Sequence, residues 1–197
     1  APNMTLYNAI AHALTSVATA GFSPEAQSAG AFSPVAQWVL IFAMLIGGTS
    51  FILIYRGVTK DITRFIRNEE FRFYLVTVSL ATFLVLLALG FDDSVSFGPE
   101  ATVRHAIFNT VSILTTTGFA STDFNLWSSA AKHILFASMF LGAMVGSTTC
   151  SIKTLRWLVV LKAFRRELFT SINPAVVRPI RISTEPIDEP TVRDVYG

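Results

Sequence analysis

The chain has 197 residues, of which 52% are hydrophobic and only 14% charged, and its mean hydropathy is +0.55. Soluble domains carry about 25% charged residues, so this composition argues against a disordered tail, a secreted disulfide scaffold or a nucleic-acid binder. Net charge is +2, and the single cysteine, Cys150, allows neither an internal disulfide nor a cysteine-clustered zinc site.

The chain opens Ala1-Pro2 without the charged region of a signal peptide, and it reads as a piece of a longer membrane protein. Met4 to Ser23 is uncharged but turns midway to small and hydroxylated residues, so it does not fit as a span. Its first half, Tyr7 to Leu14, predicts a short helix, whereas Val17-Ala18-Thr19-Ala20-Gly21-Phe22 is poor helix material. From Val35 to Tyr55 run 21 uncharged residues, opened by Ser33-Pro34 and closed by Arg56. A basic loop with Arg56, Lys60, Arg64, Arg67 and Arg72 follows. Phe73 to Phe91 gives another 19 uncharged residues, ended by Asp92-Asp93. About 20 apolar residues cross a hydrocarbon core as a helix, so both runs predict spans.

After Gly98-Pro99-Glu100, a helix-opening signal, Val103 to Val111 predicts a second short helix. Leu114-Thr115-Thr116-Thr117-Gly118-Phe119 then repeats the small, hydroxylated character of the first segment. Ile134 to Ile152 is a third uncharged stretch of 19, before Lys153. The following Trp157 to Phe169 interleaves Lys162, Arg165 and Arg166 with Leu158, Leu161, Phe164 and Leu168, amphipathic material for a membrane surface or a partner. Asn173 to Asp194, with Pro174, Pro179, Pro186 and Pro190, reads as an extended connector.

Charge orients these spans. Of the 15 Lys and Arg, all but Arg104 and Lys132 fall on one side, which the positive-inside rule makes cytoplasmic. Glu25, Asp92, Asp93, Glu100 and Asp123 fall on the other. Both short apolar segments lie outside, and a helix that enters and returns as extended backbone is a re-entrant loop. Irregular backbone at membrane depth is tolerated only where protein or water covers it.

The two segments match at an offset of 97: Ala9-Ile10 on Ala106-Ile107, Thr19 on Thr116, Gly21-Phe22 on Gly118-Phe119. The spans after them align at an offset of 95, Met44 on Met139 and Gly47 on Gly142. The fold class is therefore an all-α integral membrane protein of repeated span–re-entrant loop–span units, with the opening helix of the first unit missing. A dehydrated cation needs oxygens in place of water, and backbone carbonyls supply them. Glycine permits the conformations that turn carbonyls toward an axis, and each short helix aims its carbonyl end inward. Both features favour a monovalent cation over an anion.

The runs Ala9-Ile10 through Thr19-Ala20-Gly21-Phe22-Ser23 and Phe108-Asn109-Thr110-Val111 through Thr116-Thr117-Gly118-Phe119-Ala120-Ser121-Thr122-Asp123-Phe124 resemble the pore loops of the Trk/Ktr/HKT superfamily of potassium transporters. So does Leu141-Gly142 through Gly146-Ser147-Thr148, ending Ile152-Lys153-Thr154-Leu155-Arg156, which is similar to that family's broken inner helix, closest to the Trk type. The resemblance implies four span–loop–span units around one pore, with this chain covering part of the second unit and the third. Residues 1–56 would end the second unit, 57–72 form a cytoplasmic loop, 73–160 make the third unit, and 161–197 an amphipathic segment and connector, with Val192 to Gly197 starting a fourth unit.

It also implies potassium as the transported ion, with no organic cofactor on this chain. The filter backbone would be Val17, Ala18, Thr19, Ala20 and Gly21 with Leu114, Thr115, Thr116, Thr117 and Gly118. The gate would be Gly142, Gly146, Ser147, Thr148, Thr149, Cys150, Ser151 and Lys153, an intramembrane loop beneath the filter. Ala143, Cys150 and Ser151 stand where the family commonly has glycine. Expected partners are the remaining two pore units, a second copy in a homodimer, a cytoplasmic nucleotide-binding regulatory subunit and membrane lipid, with no nucleic acid.

Other readings are a pore-forming subunit of another cation channel, a sodium–potassium symporter, or a non-conducting membrane assembly subunit. A four-subunit potassium channel lacks support because no Thr-Val-Gly-Tyr-Gly filter is present. An enzyme would have to use His12, His105, His133 or Cys150. None pairs with a carboxylate or histidine at ligand spacing, and no hydrolase, zinc-peptidase or phosphate-binding motif occurs.

Overall fold

The computed structural model describes residues 4–59, 62–91, 97–172, 181–182 and 185–186. Asp92, Asp93 and most of the 173–194 connector, with Val192 to Gly197, lie outside the described residues. Among the described residues eight helices carry the fold: α1 Leu6–Val17, α2 Pro34–Gly47, α3 Phe51–Thr59, α4 Ile62–Arg67, α5 Glu69–Gly90, α6 Pro99–Leu114, α7 Ser129–Ser138 and α8 Thr154–Ile172. Two-residue strands, Arg181–Ile182 and Glu185–Pro186, pair antiparallel.

Local chemistry sets the helix starts. Side chains of Thr5, Ser33, Asn68 and Ser128 accept the N–H of Asn8, Ala36, Phe71 and Ala131, satisfying donors that a helix leaves free at its N-terminus. Pro34 and Pro99 occupy first-turn positions where a missing N–H costs nothing. Glu69 and Glu70 in the first turn of α5 suit the positive end of its dipole.

α5 spans 22 residues, about 33 Å at 1.5 Å per residue. Among the described residues it is the one helix long and apolar enough to cross a membrane unaided. Tyr74, Val78, Ala81, Val85 and Leu89 face the interior while Val76, Leu80, Phe83 and Leu87 are exposed. Such all-round hydrophobicity suits a helix packed on one side and bathed in lipid on the other.

The uncharged run from Val35 to Tyr55 is not one straight span. α2 stops at Gly47, and α3 leaves at 97° to it after the break at Gly48–Ser50. Gly47-Gly48-Thr49-Ser50 weakens the helix, and Thr49 Oγ1 donates to the Leu45 carbonyl (2.9 Å), the back-bond by which Thr bends helices. The stretch from Ile134 to Ile152 also differs from a span. α7 begins earlier, at Ser129, and ends at Ser138, so residues 139–153 form an irregular loop whose start lies three residues before Gly142.

Breaks at membrane depth leave backbone groups that lipid cannot satisfy. Here the two breaks satisfy each other. Phe51 N donates to the Gly146 carbonyl (3.1 Å), Met144 N to Gly48 (3.1 Å) and Thr148 N to Gly47 (3.4 Å). The loop closes on itself where Gly142 N meets the Ile152 carbonyl (2.8 Å) and Thr154 N the Ala143 carbonyl (3.0 Å).

The core joins Leu40, Ile41 and Met44 of α2 to Tyr74, Val78 and Ala81 of α5 and to Phe108, Val111 and Leu114 of α6, with Phe119, Ala143 and Met144. A second cluster, Val85, Leu89, Ala106, Trp127, Ala131 and Leu135, seats α7 against α5 and α6. In lipid such helices are held by close packing rather than by exclusion of water. Gly47 and Gly48 allow close approach: a Cβ on Gly48 would lie 2.5 Å from the Tyr74 hydroxyl oxygen, and one on Gly47 3.0 Å from Thr19 Cγ2.

Candidate functional site

The repeat read at an offset of 97 returns as a repeat of hydrogen bonds. Ala18 N donates to Leu14 (3.0 Å) and Thr115 N to Val111 (2.9 Å); Ala20 N donates to Thr15 and Thr117 N to Ser112, both at 2.8 Å. Thr15 Oγ1 donates to the Phe22 carbonyl (3.1 Å) and Ser112 Oγ to Phe119 (2.7 Å). α1 and α6 therefore end alike, and each following loop is tethered to the helix beneath it by one hydroxyl.

Val17 and Leu114 are the last residues of their helices, and Ala18 and Thr115 cap them. Thr19 and Thr116 both adopt left-handed backbone (φ 48° and 53°), as do Gly21 and Gly118 (φ 68° and 87°). A non-glycine residue there costs about 1–2 kcal/mol. The same strain at the same place in both repeats is met by local bonds: Thr19 N to Ser16 (3.1 Å) and Thr116 N to Ile113 (3.0 Å).

The two loops touch. A Cβ on Gly21 would stand 1.8 Å from the Thr117 carbonyl oxygen, whereas one on Gly118 meets nothing within 4 Å. Behind them, His12 Nδ1 donates to the Asn8 carbonyl (2.8 Å), and its Nε2 lies 3.0 Å from Ser23 Oγ. The His12 ring stacks on Phe119 of the other repeat at 5.3 Å and meets Phe32 edge-on at 4.8 Å. In the second repeat, His105 Nδ1 is 2.8 Å from Ser121 Oγ, which also accepts from Asn109 Nδ2 (3.3 Å). Both histidines are bound into scaffolding. Among the described residues no group of three or more His, Cys, Asp or Glu is arranged for a metal ion.

At the loops' N-terminal ends lies the 139–153 loop. Thr148 Oγ1 stands 3.1 Å from the Val17 carbonyl, 3.2 Å from the Gly47 carbonyl and 3.1 Å from Thr19 Oγ1, which donates to it. Cys150 N donates to Thr116 Oγ1 (3.0 Å). One loop thus engages the equivalent threonine of both repeats. Ser147 Oγ bonds the Met144 carbonyl (2.6 Å) and Ser151 Oγ the Met139 carbonyl (2.7 Å). Gly146 is left-handed (φ 78°). Buried Thr149 carries the Lys153 ammonium on its carbonyl oxygen and, at 3.2 Å, on its hydroxyl. Gly142 is buried in the neck, where a Cβ would meet the Ile152 carbonyl oxygen at 2.6 Å.

Three participants escape the sequence reading. Glu70 on α5 accepts from Val145 N (2.7 Å) and Thr154 Oγ1 (3.1 Å). Tyr74 is buried against Gly48, and Ser50 Oγ lies 3.1 Å from where a Cβ on Gly146 would stand. A signal existed for two of them: Gly48-Thr49-Ser50 has the same small, hydroxylated character as Ser147 to Ser151, and Glu69-Glu70 is an acidic pair at the head of a span beside a basic loop.

On the opposite face, buried Arg104 donates Nε to Glu100 Oε1 (2.9 Å) and Nη1 to Gln37 Oε1, fastening α6 to α2; Trp38 Nε1 adds a bond to Glu100 (3.3 Å). The guanidinium bond from Arg104 holds the Glu100 carboxyl below the usual carboxylate range.

Comparison with known proteins agrees with this geometry. A family model described as TrkH, cation transport protein, matches residues 3–197. The Trk system potassium uptake protein TrkH of Halomonas elongata is 30% identical over 199 residues, covering 100% of this chain and 41% of that protein. The Escherichia coli K12 protein of the same name is 28% identical over 196 residues, covering 98% of this chain and 40% of that one. The crystal structure of the potassium transporter TrkH from Vibrio parahaemolyticus superposes with a TM-score of 0.91 at 28% identity, over 98% of this chain and 42% of that one. The chain spans about two fifths of the length of these relatives. With its two re-entrant loops, its broken inner helices and a family match over nearly its whole length, this chain belongs to the TrkH family of cation transport proteins.

Proposed function

We propose that the chain supplies two adjacent units of a potassium pathway through the cell membrane, with Val17 to Gly21 and Leu114 to Gly118 lining the selectivity filter by their backbone carbonyls. The observation that carries this reading is the meeting of two equivalent loops, each left-handed at its threonine and its glycine, with Gly21 against the Thr117 carbonyl. Left-handed residues alternating with ordinary ones turn carbonyls the same way, where a strand would send its groups to alternate sides. Stacked carbonyl oxygens replace the hydration shell of a dehydrated cation.

Gly142 to Lys153 is the gate in this reading. Thr148 and Cys150 occupy the threonines at the inner end of both loops, so the loop obstructs ions until those bonds part. The names of the relatives, potassium uptake proteins, support potassium as the cargo. The remaining two pore units complete the ring, a second copy forms a homodimer, and a nucleotide-binding subunit with membrane lipid meets the basic cytoplasmic side around α8. The pore loops face outside.

Rubidium uptake with potassium and sodium as competitors tests the proposal, using cells without their own potassium uptake and the complete reading frame that carries this chain. Competition by potassium far above sodium, reduced by Gly118→Ser, is expected. Unchanged selectivity in Gly118→Ser would remove Gly118 from the filter.

A further inference from the structure

We infer that Glu70 is the positioning residue that latches the 139–153 loop in its obstructing position and ties it to α8. The inference rests on the reading of that loop as the gate of a cation pathway. One carboxylate oxygen, Oε1, accepts both the Val145 N–H (2.7 Å) and the Thr154 hydroxyl (3.1 Å). Val145 stands on the limb leaving the neck of the loop, directly before left-handed Gly146, and Thr154 ends the returning limb as the first residue of α8. Glu70 therefore bridges the two limbs from outside, on a straight helix that belongs to neither.

Chemistry favours a carboxylate at this point. An ionised acceptor makes a stronger bond than a neutral one, and the N-terminus of α8 attracts negative charge. Among the described residues the other ties on the loop are between neutral partners or come from Lys153, among them the Gly142–Ile152 and Ala143–Thr154 backbone pairs, the bonds to Gly47, Gly48 and Phe51, and those to Val17, Thr19, Thr116 and Thr149. Moving Val145 out of line breaks the Glu70 bond first or together with the Thr148 and Cys150 bonds. A second rung lies eight residues along α8, where Lys162 Nζ sits 2.5 Å from Glu69 Oε1. Adjacent carboxylates on α5 thus hold the start and the middle of α8, so a shift of α8 on the cytoplasmic side reaches the gate through Glu70.

The test compares wild type, Glu70→Ala, Glu70→Gln and Thr154→Val in the complete transporter, with two readouts. The first is open probability in single-channel records, with potassium-over-sodium preference. The second is the rate at which a membrane-impermeant thiol reagent modifies Cys150, followed by the mass of its peptide, which needs no conduction. Glu70→Ala is expected to raise the open-to-closed ratio and the Cys150 modification rate about tenfold, the effect of losing a bond to a charged group, with ion preference unchanged. Glu70→Gln keeps an acceptor oxygen and is expected to fall between wild type and alanine. Thr154→Val added to Glu70→Ala is expected to add nothing, since both remove one junction.

Wild-type gating and labelling in Glu70→Ala, a glutamine variant equal to alanine, or a shift in ion preference each overturns the latch. If Glu70→Ala does not reach the membrane, the Glu70→Gln and Thr154→Val pair carries the same comparison. A wild type that conducts nothing while Glu70→Ala still speeds Cys150 labelling refutes the pathway and leaves the latch; potassium-selective conduction with unaltered labelling does the reverse.

Discussion

Gly21 and the Thr117 carbonyl are in direct contact across the two repeats: a methyl group on Gly21 would stand 1.8 Å from that oxygen, well inside the reach of any real side chain. A methyl group on the equivalent residue, Gly118, would meet nothing within 4 Å. The two glycines share a backbone conformation and differ in surroundings, so equal substitutions have unequal costs. Gly21→Ala is expected to drive the loops apart and lower the melting temperature in detergent well beyond Gly118→Ala. The latter carries chiefly left-handed strain, about 1–2 kcal/mol. Equal shifts in both variants would show that the contact gives way freely.

Thr148 offers a second test. Its hydroxyl stands within 3.2 Å of the Val17 and Gly47 carbonyls and bonds Thr19. Thr148→Val keeps the shape and removes the polar atom, leaving Thr19 Oγ1 without this partner. Unstimulated rubidium uptake is expected to rise several-fold while potassium-over-sodium competition stays at the wild-type ratio. A fall in uptake at normal surface expression would contradict an obstructing role for this side chain.

Gly146→Ala addresses the left-handed turn of the same loop. The φ of 78° is one that alanine adopts at a cost of about 1–2 kcal/mol, and its methyl would press on Ser50 Oγ at 3.1 Å. Open probability is expected to change with selectivity intact, as read from single-channel records in potassium and sodium. A changed ion preference would move the gate out of this loop.

Arg104 gives a prediction on the face opposite the 139–153 loop. Arg104→Met leaves the Gln37 amide oxygen, in a residue only 3% exposed, without its guanidinium partner, at a cost of about 1–3 kcal/mol. Arg104→Lys is expected to recover little, because a single ammonium does not match a fork that reaches two residues on two helices. The pH dependence follows in sign. Glu100 has a folded pKa below its unfolded value, so its contribution is complete above about pH 4.3 and fades as pH falls through the lower folded value. Melting temperature of the wild type is therefore expected to show no Glu100-dependent change between about pH 5 and 8 relative to Glu100→Gln.

Much of this architecture is legible in the sequence because two kinds of signal agree. Charge-free runs bounded by Arg72 and Asp92 mark α5, and the Thr-x-Gly-Phe pairs at Thr19 and Thr116 mark the loops, whose left-handed residues need glycine at Gly21 and Gly118. Hydropathy sums, however, see composition and not direction. Val35 to Tyr55 has the apolar content of a span, yet Gly48-Thr49-Ser50 turns the chain by 97° because a second loop supplies the hydrogen bonds that a straight helix would have made. For the same reason α7 stops at Ser138, four residues short of the position corresponding to the end of α2, though both start on a serine cap at the expected offset of 95. The signal at Glu69-Glu70 names no role for Glu70, for a different reason. A carboxylate at the head of a helix beside five basic residues reads as a solvated charge, and only the folded path of residues 139–153 brings Val145 and Thr154 to it.

The contact between Gly21 and Thr117 is head-to-tail: the first loop offers its glycine, the second its carbonyl, and the two surfaces are different. An association of that kind has no twofold partner that could end it. It either closes as a ring or repeats without limit. Ala20, which stands where Thr117 stands in the repeat, is exposed here, as is Gly118. The pair therefore carries one donor face and one receiving face of the same lock, and each added unit must bring both, in the same rotational sense. In the proposed four-unit pore, handedness around the axis is set by which glycine is covered, so that arrangement would survive wide divergence between units as long as each glycine meets its neighbour's carbonyl.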